Sequence, residues 1–243
     1  MKKAIGYVYV IAAAVCWGFL GLFNRVLTAA GVSLLNMMPL RFGGTAILFT
    51  VFCMMFKQQV FHIKLRHLPI FLGSGLISML LVLCGCALVS GIVGSDVGIS
   101  LEGLLMGLAS ELCCGGYTIF THYGMRYCDS FTMAYWTFLI AGIASLFLAD
   151  GPALLSALAE PRTGLAALGL MVMGTALPFT LYTKGLETVE SGKAAIIANI
   201  EPVMSAVIGV TVFQETLGLW TLVGIVLVLS GVVVLACEKE PDK

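Results

Sequence analysis

The chain contains eight long apolar runs joined by short connections. A bilayer core of roughly 30 Å is crossed by about 20 helical residues, so each run is long enough to span a membrane. Only 11% of the residues are charged and the mean hydropathy is +1.04, values outside the range of soluble domains. The sequence therefore predicts an all-α polytopic membrane protein with about eight transmembrane helices. The predicted spans are 5–27, 35–56, 68–94, 102–123, 131–149, 163–183, 192–213 and 218–237.

Most positive charges of the chain lie in the connections on one side of the predicted membrane. Of the 13 Lys and Arg residues, those on one side of the predicted membrane are Lys2, Lys3, Lys57, Lys64, Arg66, Arg126, Lys184, Lys193, Lys239 and Lys243. Arg25 and Arg162 fall on the other side, and Arg41 lies inside the second span. Because cytoplasmic connections carry an excess of Lys and Arg, both termini are predicted to be cytoplasmic, with the protein in the cell membrane.

Residues of the first three spans recur later in the chain at two different offsets. The first two spans have an offset of 97 or 98, as for Gly6, Ala12, Cys16 and Gly18 against Gly103, Ala109, Cys113 and Gly115. The third span has an offset of 146, as for Leu81, Val82, Leu83 and Gly85 against Leu227, Val228, Leu229 and Gly231. The pattern predicts two copies, 1–97 with three spans and 98–243 with five, the first lacking about 48 residues (146 − 98). Since both span counts are odd, the copies form an inverted repeat, an arrangement typical of transporters.

Several motifs of the chain are specific. They are Gly174-Thr-Ala-Leu-Pro-Phe-Thr-Leu-Tyr182, Gly185-Leu-Glu, Ala194-Ala through Glu201-Pro-Val, Glu215, Gly224 and Gly231, with Cys16-Trp17-Gly18 and Gly103 to Tyr117 at the starts of the copies. In these motifs the chain resembles, over nearly its whole length, the EamA-type transporters of the drug/metabolite transporter superfamily. The resemblance implies a 5+5 inverted repeat around a central cavity that opens alternately to each side. Relative to that pattern, this 3+5 chain lacks two spans, and 69–94 is a fusion of the family's third and fifth.

The resemblance implies a membrane transporter of small metabolites, amino-acid-like or drug-like solutes, that works by alternating access. The alternative is a transport-deficient deletion variant, or an interaction subunit, that lacks part of the substrate cavity. An enzyme is not expected, because the sequence holds no metalloprotease, serine-hydrolase or P-loop motif. No metal, cofactor or nucleic-acid partner is predicted. The predicted partners are a small solute and the lipid bilayer, and the Gly103-x-x-x-Gly107 face permits a homodimer.

Three charged residues lie well inside predicted spans, away from the span ends, where a charge is costly and is a candidate for function. Glu111 and Glu201 lie about 13 Å into their spans, and Arg41 about 9 Å. Glu111 is predicted either to bind a proton, a cation or a substrate amine, or to be a protonated residue bonded to a neighbouring helix. Arg41 is predicted either to contact an anion in the cavity or to snorkel to the interface. Glu201, beside Pro202, either contacts substrate or satisfies the backbone of a kinked helix.

Aromatic and polar side chains at helical spacing complete the predicted site. Glu111, Thr118 and His122 share one face of the fourth span, and core packing is the alternative role for its Tyr117. The predicted cavity residues are Trp17, Asn24, Arg41, Glu111, Tyr117, Thr118, His122, Thr175, Tyr182 and Asn199. The predicted kink or gating residues are Pro178, Glu201 and Pro202.

Overall fold

The computed structural model describes residues 2–61, 67–89 and 101–237, and in these ranges the chain forms helices and turns without a β-strand. The α-helices of the described ranges are α1 (Lys2–Gly18), α2 (Leu20–Ala29), α3 (Leu34–Met38), α4 (Gly44–Phe56), α5 (Leu68–Val89), α6 (Leu101–Gly124), α7 (Ser130–Ser145), α8 (Gly151–Leu158), α9 (Pro161–Met171), α10 (Leu177–Gly185), α11 (Ser191–Ala198), α12 (Ile200–Phe213) and α13 (Leu219–Cys237).

Two of the spans contain a π-helical segment. A π-helical segment, Pro39–Gly43, joins α3 to α4, and a second, Val172–Ala176, joins α9 to α10. Short 3₁₀ segments follow α4 at Gln58–Phe61 and α7 at Leu146–Leu148. Because a π turn inserts extra backbone into a helix, both spans are locally wider at these points.

Each predicted span coincides with one or two of these helices, and the prediction of an all-α polytopic membrane protein is confirmed. Within the described ranges, four helical stretches are long and apolar enough to cross a membrane: Ala4–Ala29, Leu35–Phe56, Pro161–Gly185 and Ser191–Phe213. Shorter apolar helices include Leu68–Ile77, Ser130–Ser145 and Thr221–Val233. The remaining predicted span, the fourth, is occupied by the 24 residues of α6.

The connection between the fifth and sixth spans contains a helix that the sequence did not predict. This helix is α8, and its first turn is capped by the side chain of Asp150, which accepts a hydrogen bond from the Ala153 amide at 3.3 Å. Residues 90–94 of the predicted third span lie outside the described ranges, as does the boundary at 97/98 between the predicted copies. The two-copy division and the missing 48 residues therefore stay predictions.

Contacts between connections join segments that were predicted to lie on the same side of the membrane. At one face, the Asp150 amide donates to Asn36 Oδ1 at 2.8 Å, joining the start of the second span to the connection between spans five and six. At the other face, Lys57 Nζ lies 3.6 Å from Asp129 Oδ2, joining the ends of spans two and four. In these two places the adjacent segments are ones predicted to share a side of the membrane, and the cytoplasmic placement of the termini stays a prediction.

Small residues allow the central helices to approach closely. Helix α1 packs against α10 and α12, and α5 packs against α6 and α7. At the α1–α10 crossing, a Cβ on Gly185 would lie only 3.0 Å from the carbonyl oxygen of Gly6. Aromatic rings fill the space beside these crossings, with Phe138 6.2 Å from Phe42 and 5.1 Å from Phe179 between ring centroids. These rings form an aromatic core between the central helices.

Candidate functional site

The two π-helical segments meet through a hydrogen bond inside the bundle. Arg41, in the first segment, donates from Nε to Thr175 Oγ1 in the second at 3.1 Å. The Thr175 hydroxyl in turn donates to the carbonyl oxygen of Leu170 at 3.0 Å, so its oxygen is the acceptor for the guanidinium. Arg41 is half-buried and Thr175 is fully buried. The structure therefore brings together one cation and one hydroxyl of the predicted site.

Proline explains why both spans depart from α-helical geometry here. Pro39 begins the first segment, and Pro178 lies two residues after the second. A proline inside a helix cannot donate the backbone hydrogen bond and its ring crowds the preceding turn. A hydroxyl of the second span bonds the residue just before the second segment, since the Thr45 hydroxyl donates to the Met171 carbonyl oxygen at 3.1 Å. The second π segment is thus contacted at its start by a side chain from another span.

A second group of predicted residues surrounds Trp17 on the α1 side of the bundle. The indole lies 5.0 Å from the ring of Phe179, edge to face, and 5.3 Å from the ring of Tyr182. Tyr117 contacts Phe179 from the other side, at 5.3 Å and also edge to face. All four rings are buried, so three predicted aromatic residues meet in one packed cluster. We call Trp17, Tyr117, Phe179 and Tyr182 the aromatic cluster.

Threonine hydroxyls connect the aromatic cluster to α6 and α10. The Thr118 hydroxyl donates to the Cys114 carbonyl oxygen at 3.0 Å, as is usual for threonine within a helix. Its oxygen lies 3.1 Å from the Tyr182 hydroxyl, and because the Thr118 proton is already used, Tyr182 is the donor. Thr183 Oγ1 lies 3.5 Å from the Tyr117 hydroxyl, at the limit of hydrogen bonding. Helices α6 and α10 are therefore joined by two hydroxyl contacts inside the bundle.

The indole nitrogens of Trp17 and Trp136 have different surroundings. Trp136 Nε1 donates to the carbonyl oxygen of Val60 at 2.9 Å. Trp17 Nε1 is buried, and no acceptor in the described ranges lies within hydrogen-bonding distance of it. Buried polar groups are nearly always paired, so this donor requires an explanation.

Among the described side chains, three further predicted cavity residues make no hydrogen bond or ring contact to these two groups. Asn24 is half-buried on α2, and His122 is exposed near the end of α6. Asn199 is exposed and donates from Nδ2 to the Ala195 carbonyl oxygen at 3.2 Å. Glu111 lies within α6, but its side chain is outside what the structure describes, and so is the exposure of Gly103 and Gly107.

The seventh span is interrupted at Asn199, which separates α11 from α12. Pro202 lies in the first turn of α12, where its missing amide removes no hydrogen bond from the new helix. Glu201, half-buried in the same turn, is well placed because a carboxylate stabilises a helix amino terminus.

Three residues of the two groups were not predicted from the sequence. They are Phe179 of the aromatic cluster and the hydroxyl residues Thr45 and Thr183. Single apolar and hydroxyl residues are common in membrane helices, so their positions along the chain carry no signal that could have identified them.

A cavity of about 1190 Å³ opens at the end of the bundle that holds the connections after α4 and α6. Its lining includes Lys57, His67, Arg126, Cys128 and Asp129. Burial, together with the neighbouring Asp129 carboxylate, raises the pKa of the Cys128 thiol to about 11. The thiol donates to the Gly124 carbonyl oxygen at 3.6 Å, a contact that only the protonated form can make.

Cys128 is therefore expected to react slowly with maleimide at neutral pH, because the thiolate is the nucleophile. In a protein whose other cysteines are replaced by alanine, the labelling rate should rise with a midpoint near pH 11. The substitution Asp129→Asn should lower that midpoint, since it removes the nearby negative charge. A midpoint near the ordinary thiol value of about 8.5 would contradict the prediction.

Comparison with known proteins gives a consistent family assignment. The EamA-like transporter family matches residues 101–237. The chain is 41% identical over 68 residues to an uncharacterized transporter of Archaeoglobus fulgidus, covering 28% of this chain and 25% of that protein. It is 27% identical over 154 residues to the uncharacterized inner membrane transporter YicL of Salmonella typhimurium, covering 60% of this chain and 48% of YicL. It is 32% identical over 87 residues to the multidrug resistance protein EbrB of Bacillus atrophaeus, covering 35% of this chain and 74% of EbrB.

The chain spans about a quarter of the length of the Archaeoglobus fulgidus transporter and about half of the length of YicL. No solved structure matches the chain. The family and the first two relatives are named as transporters, which are not enzymes, and YicL is named as an inner membrane transporter. The family match covers more than half of the chain and contains α6 and α10, which carry most of the aromatic cluster. The chain therefore belongs to the EamA-like transporter family.

Proposed function

We propose that the chain transports small amino-acid-like or drug-like solutes across the cell membrane by alternating access, with its termini in the cytoplasm. The observation that carries the proposal is the set of polar groups buried inside the bundle, at Arg41 and Thr175 and around the aromatic cluster. Polar residues within membrane spans typically mark substrate pathways. The drug-like part of the proposal is supported by the name of EbrB, a multidrug resistance protein.

The Arg41–Thr175 pair and the aromatic cluster would lie one after the other along the path of the solute. We call them the two layers of the site. Thr175 and Tyr182 lie seven residues apart on the sixth span, which corresponds to about 10 Å along the helix. Neutral hydrogen bonds such as the one between Tyr182 and Thr118 are worth only about 0.5–1.5 kcal/mol each. One layer can therefore open at small cost while the other stays closed.

Two glycines leave space for a solute beside these layers. A Cβ added to Gly43, next to Arg41, would meet no described atom within 4 Å, and the same holds for Gly115 on the Thr118 face of α6. Other glycines of the bundle, such as Gly174, face side chains at 2.7 Å. The proposed path of the solute runs past the two uncrowded positions.

The substitution Tyr182→Phe tests whether the aromatic cluster serves transport. It removes one hydroxyl that bonds Thr118 at 3.1 Å, and we expect solute flux into proteoliposomes to fall about tenfold. Tyr135→Phe is the matched control, because it removes a buried hydroxyl that lies 3.3 Å from Thr50 Oγ1, away from the cluster. Flux would be measured with a panel of radiolabelled amino acids and antimicrobial drugs. Equal flux in both variants would refute the assignment of the cluster.

The alternative is a transport-deficient variant or an interaction subunit, which the predicted absence of 48 residues from the first copy supports. A parent protein that is folded yet moves no solute of the panel would favour this alternative. It would be established if an insertion after Leu81, consisting of the corresponding 48 residues of the second copy, restored flux. A homodimer, which the sequence permits, would be tested by crosslinking in the same vesicles.

A further inference from the structure

The indole N–H of Trp17 is a hydrogen-bond donor buried without an acceptor in the described part of the chain. The residue is only 9% exposed, and its ring is enclosed by Phe179 and Tyr182. An indole can donate but cannot accept, so no rearrangement of its own proton satisfies it. Leaving such a donor unpaired in a low-dielectric interior is unfavourable.

The half-buried indole of Trp136, by comparison, has an acceptor. Trp136 Nε1 donates to Val60 O at 2.9 Å and so follows the usual rule. Around Trp17, by contrast, the neighbouring hydroxyls are directed elsewhere, because Tyr182 donates to Thr118 and Thr118 donates to Cys114 O. The hydroxyls of Tyr182 and Thr118 are therefore bonded to each other and to the backbone, and Trp17 Nε1 is left without an acceptor among the described residues.

We propose that the solute carries a hydrogen-bond acceptor, a carbonyl or carboxylate oxygen, that bonds Trp17 Nε1 while an apolar or aromatic body packs against Phe179 and Tyr182. This inference rests on the proposed function, since it assigns a chemical class to the solute of the same site. The second layer agrees with it, because the Arg41 side chain is also a donor that cannot accept. A solute whose only polar group is a donor leaves the indole unpaired and binds more weakly.

Three probes with the same phenylpropyl body separate acceptors from donors. They are 3-phenylpropionate, 3-phenylpropanamide and 3-phenylpropylammonium, and the neutral amide removes the effect of net charge. Binding would be measured calorimetrically with the full chain in detergent, where no flux is required. We expect the carboxylate and the amide to bind at least tenfold more tightly than the ammonium.

The substitution Trp17→Phe should weaken binding of the carboxylate and the amide about tenfold and leave the ammonium unchanged, as expected for one lost hydrogen bond. Trp136→Phe is the matched control, because its indole N–H is already bonded to Val60 O, and it should preserve the preference. A second measurement uses a protein with Trp136→Phe and Trp220→Phe. In it, the resonance Raman signature of the remaining indole should change to that of a bonded N–H when the amide is added.

The outcomes distinguish this inference from the proposed function. Acceptor binding that depends on Trp17, found without any flux in proteoliposomes, supports the inference and counts against transport. Flux without an acceptor preference supports transport and overturns the inference. The inference is also overturned if Trp17→Phe binds the amide as the parent does, if the ammonium is preferred, or if the folded parent binds none of the three probes.

Discussion

Gly142→Val is expected to destabilise the protein by about 3 kcal/mol, the upper range for overpacking a closely packed interior. A Cβ at this position would lie 3.0 Å from Gly43 Cα and 3.2 Å from the Phe42 carbonyl oxygen. Both atoms belong to the backbone of the π segment that carries Arg41, so no side chain can rotate away. The decrease in the unfolding temperature of the protein in detergent would measure this loss of stability.

The matched control is Gly224→Val, because a Cβ on Gly224 of α13 would meet no described atom within 4 Å. We expect its unfolding temperature to stay close to that of the parent. If the two variants unfold at the same temperature, the close approach of α7 to the first π segment is wrong.

Arg41→Met is expected to lower solute flux by about 10-fold to 150-fold. A hydrogen bond to a charged group contributes about 1.5–3 kcal/mol, and the substitution removes the donor that bonds Thr175. The unfolding temperature of the variant in detergent, measured beside flux, separates a loss of transport from a loss of folded protein. Initial rates in proteoliposomes, normalised to folded protein, would measure the effect.

Arg25→Met is the control for Arg41→Met. Arg25 bonds Glu215 and lies over the ring of Phe213 at 4.4 Å, but about half of its side chain is exposed. Exposed ion pairs are worth about 0–1 kcal/mol, so flux should remain near the parental value. Equal losses in both variants would indicate a general effect of arginine removal and would contradict the role assigned to Arg41.

The sequence predicted the helices well because their signal is length and apolarity. It also placed Trp17, Tyr117, Thr118 and Tyr182 in one site, and the structure brings these four together. They were chosen for their depth within a span and for helical spacing, which cannot show contacts between separate helices, and their role as a site stays a prediction. Phe179, at the centre of the cluster, was missed because an apolar ring in an apolar span has no distinguishing signal.

The sequence was less informative where position along a helix matters. His122 shares a helical face with Thr118 by spacing, but it lies near the end of α6 and is exposed. Proline predicted that the sixth and seventh spans are irregular, yet it could not show that one contains a π segment and the other a break at Asn199. Those outcomes depend on contacts from other helices, such as the hydroxyl of Thr45.

The π segment at Val172–Ala176 also changes which residues of the sixth span lie on the same face of the helix. One additional residue in a helix of 3.6 residues per turn rotates everything after it by about 100°. The half of the span that contains Leu170 and the half that contains Tyr182 therefore follow two separate phases of the helical wheel. Deleting a single residue within this segment would turn Tyr182 away from Trp17 while leaving the composition of the span almost unchanged.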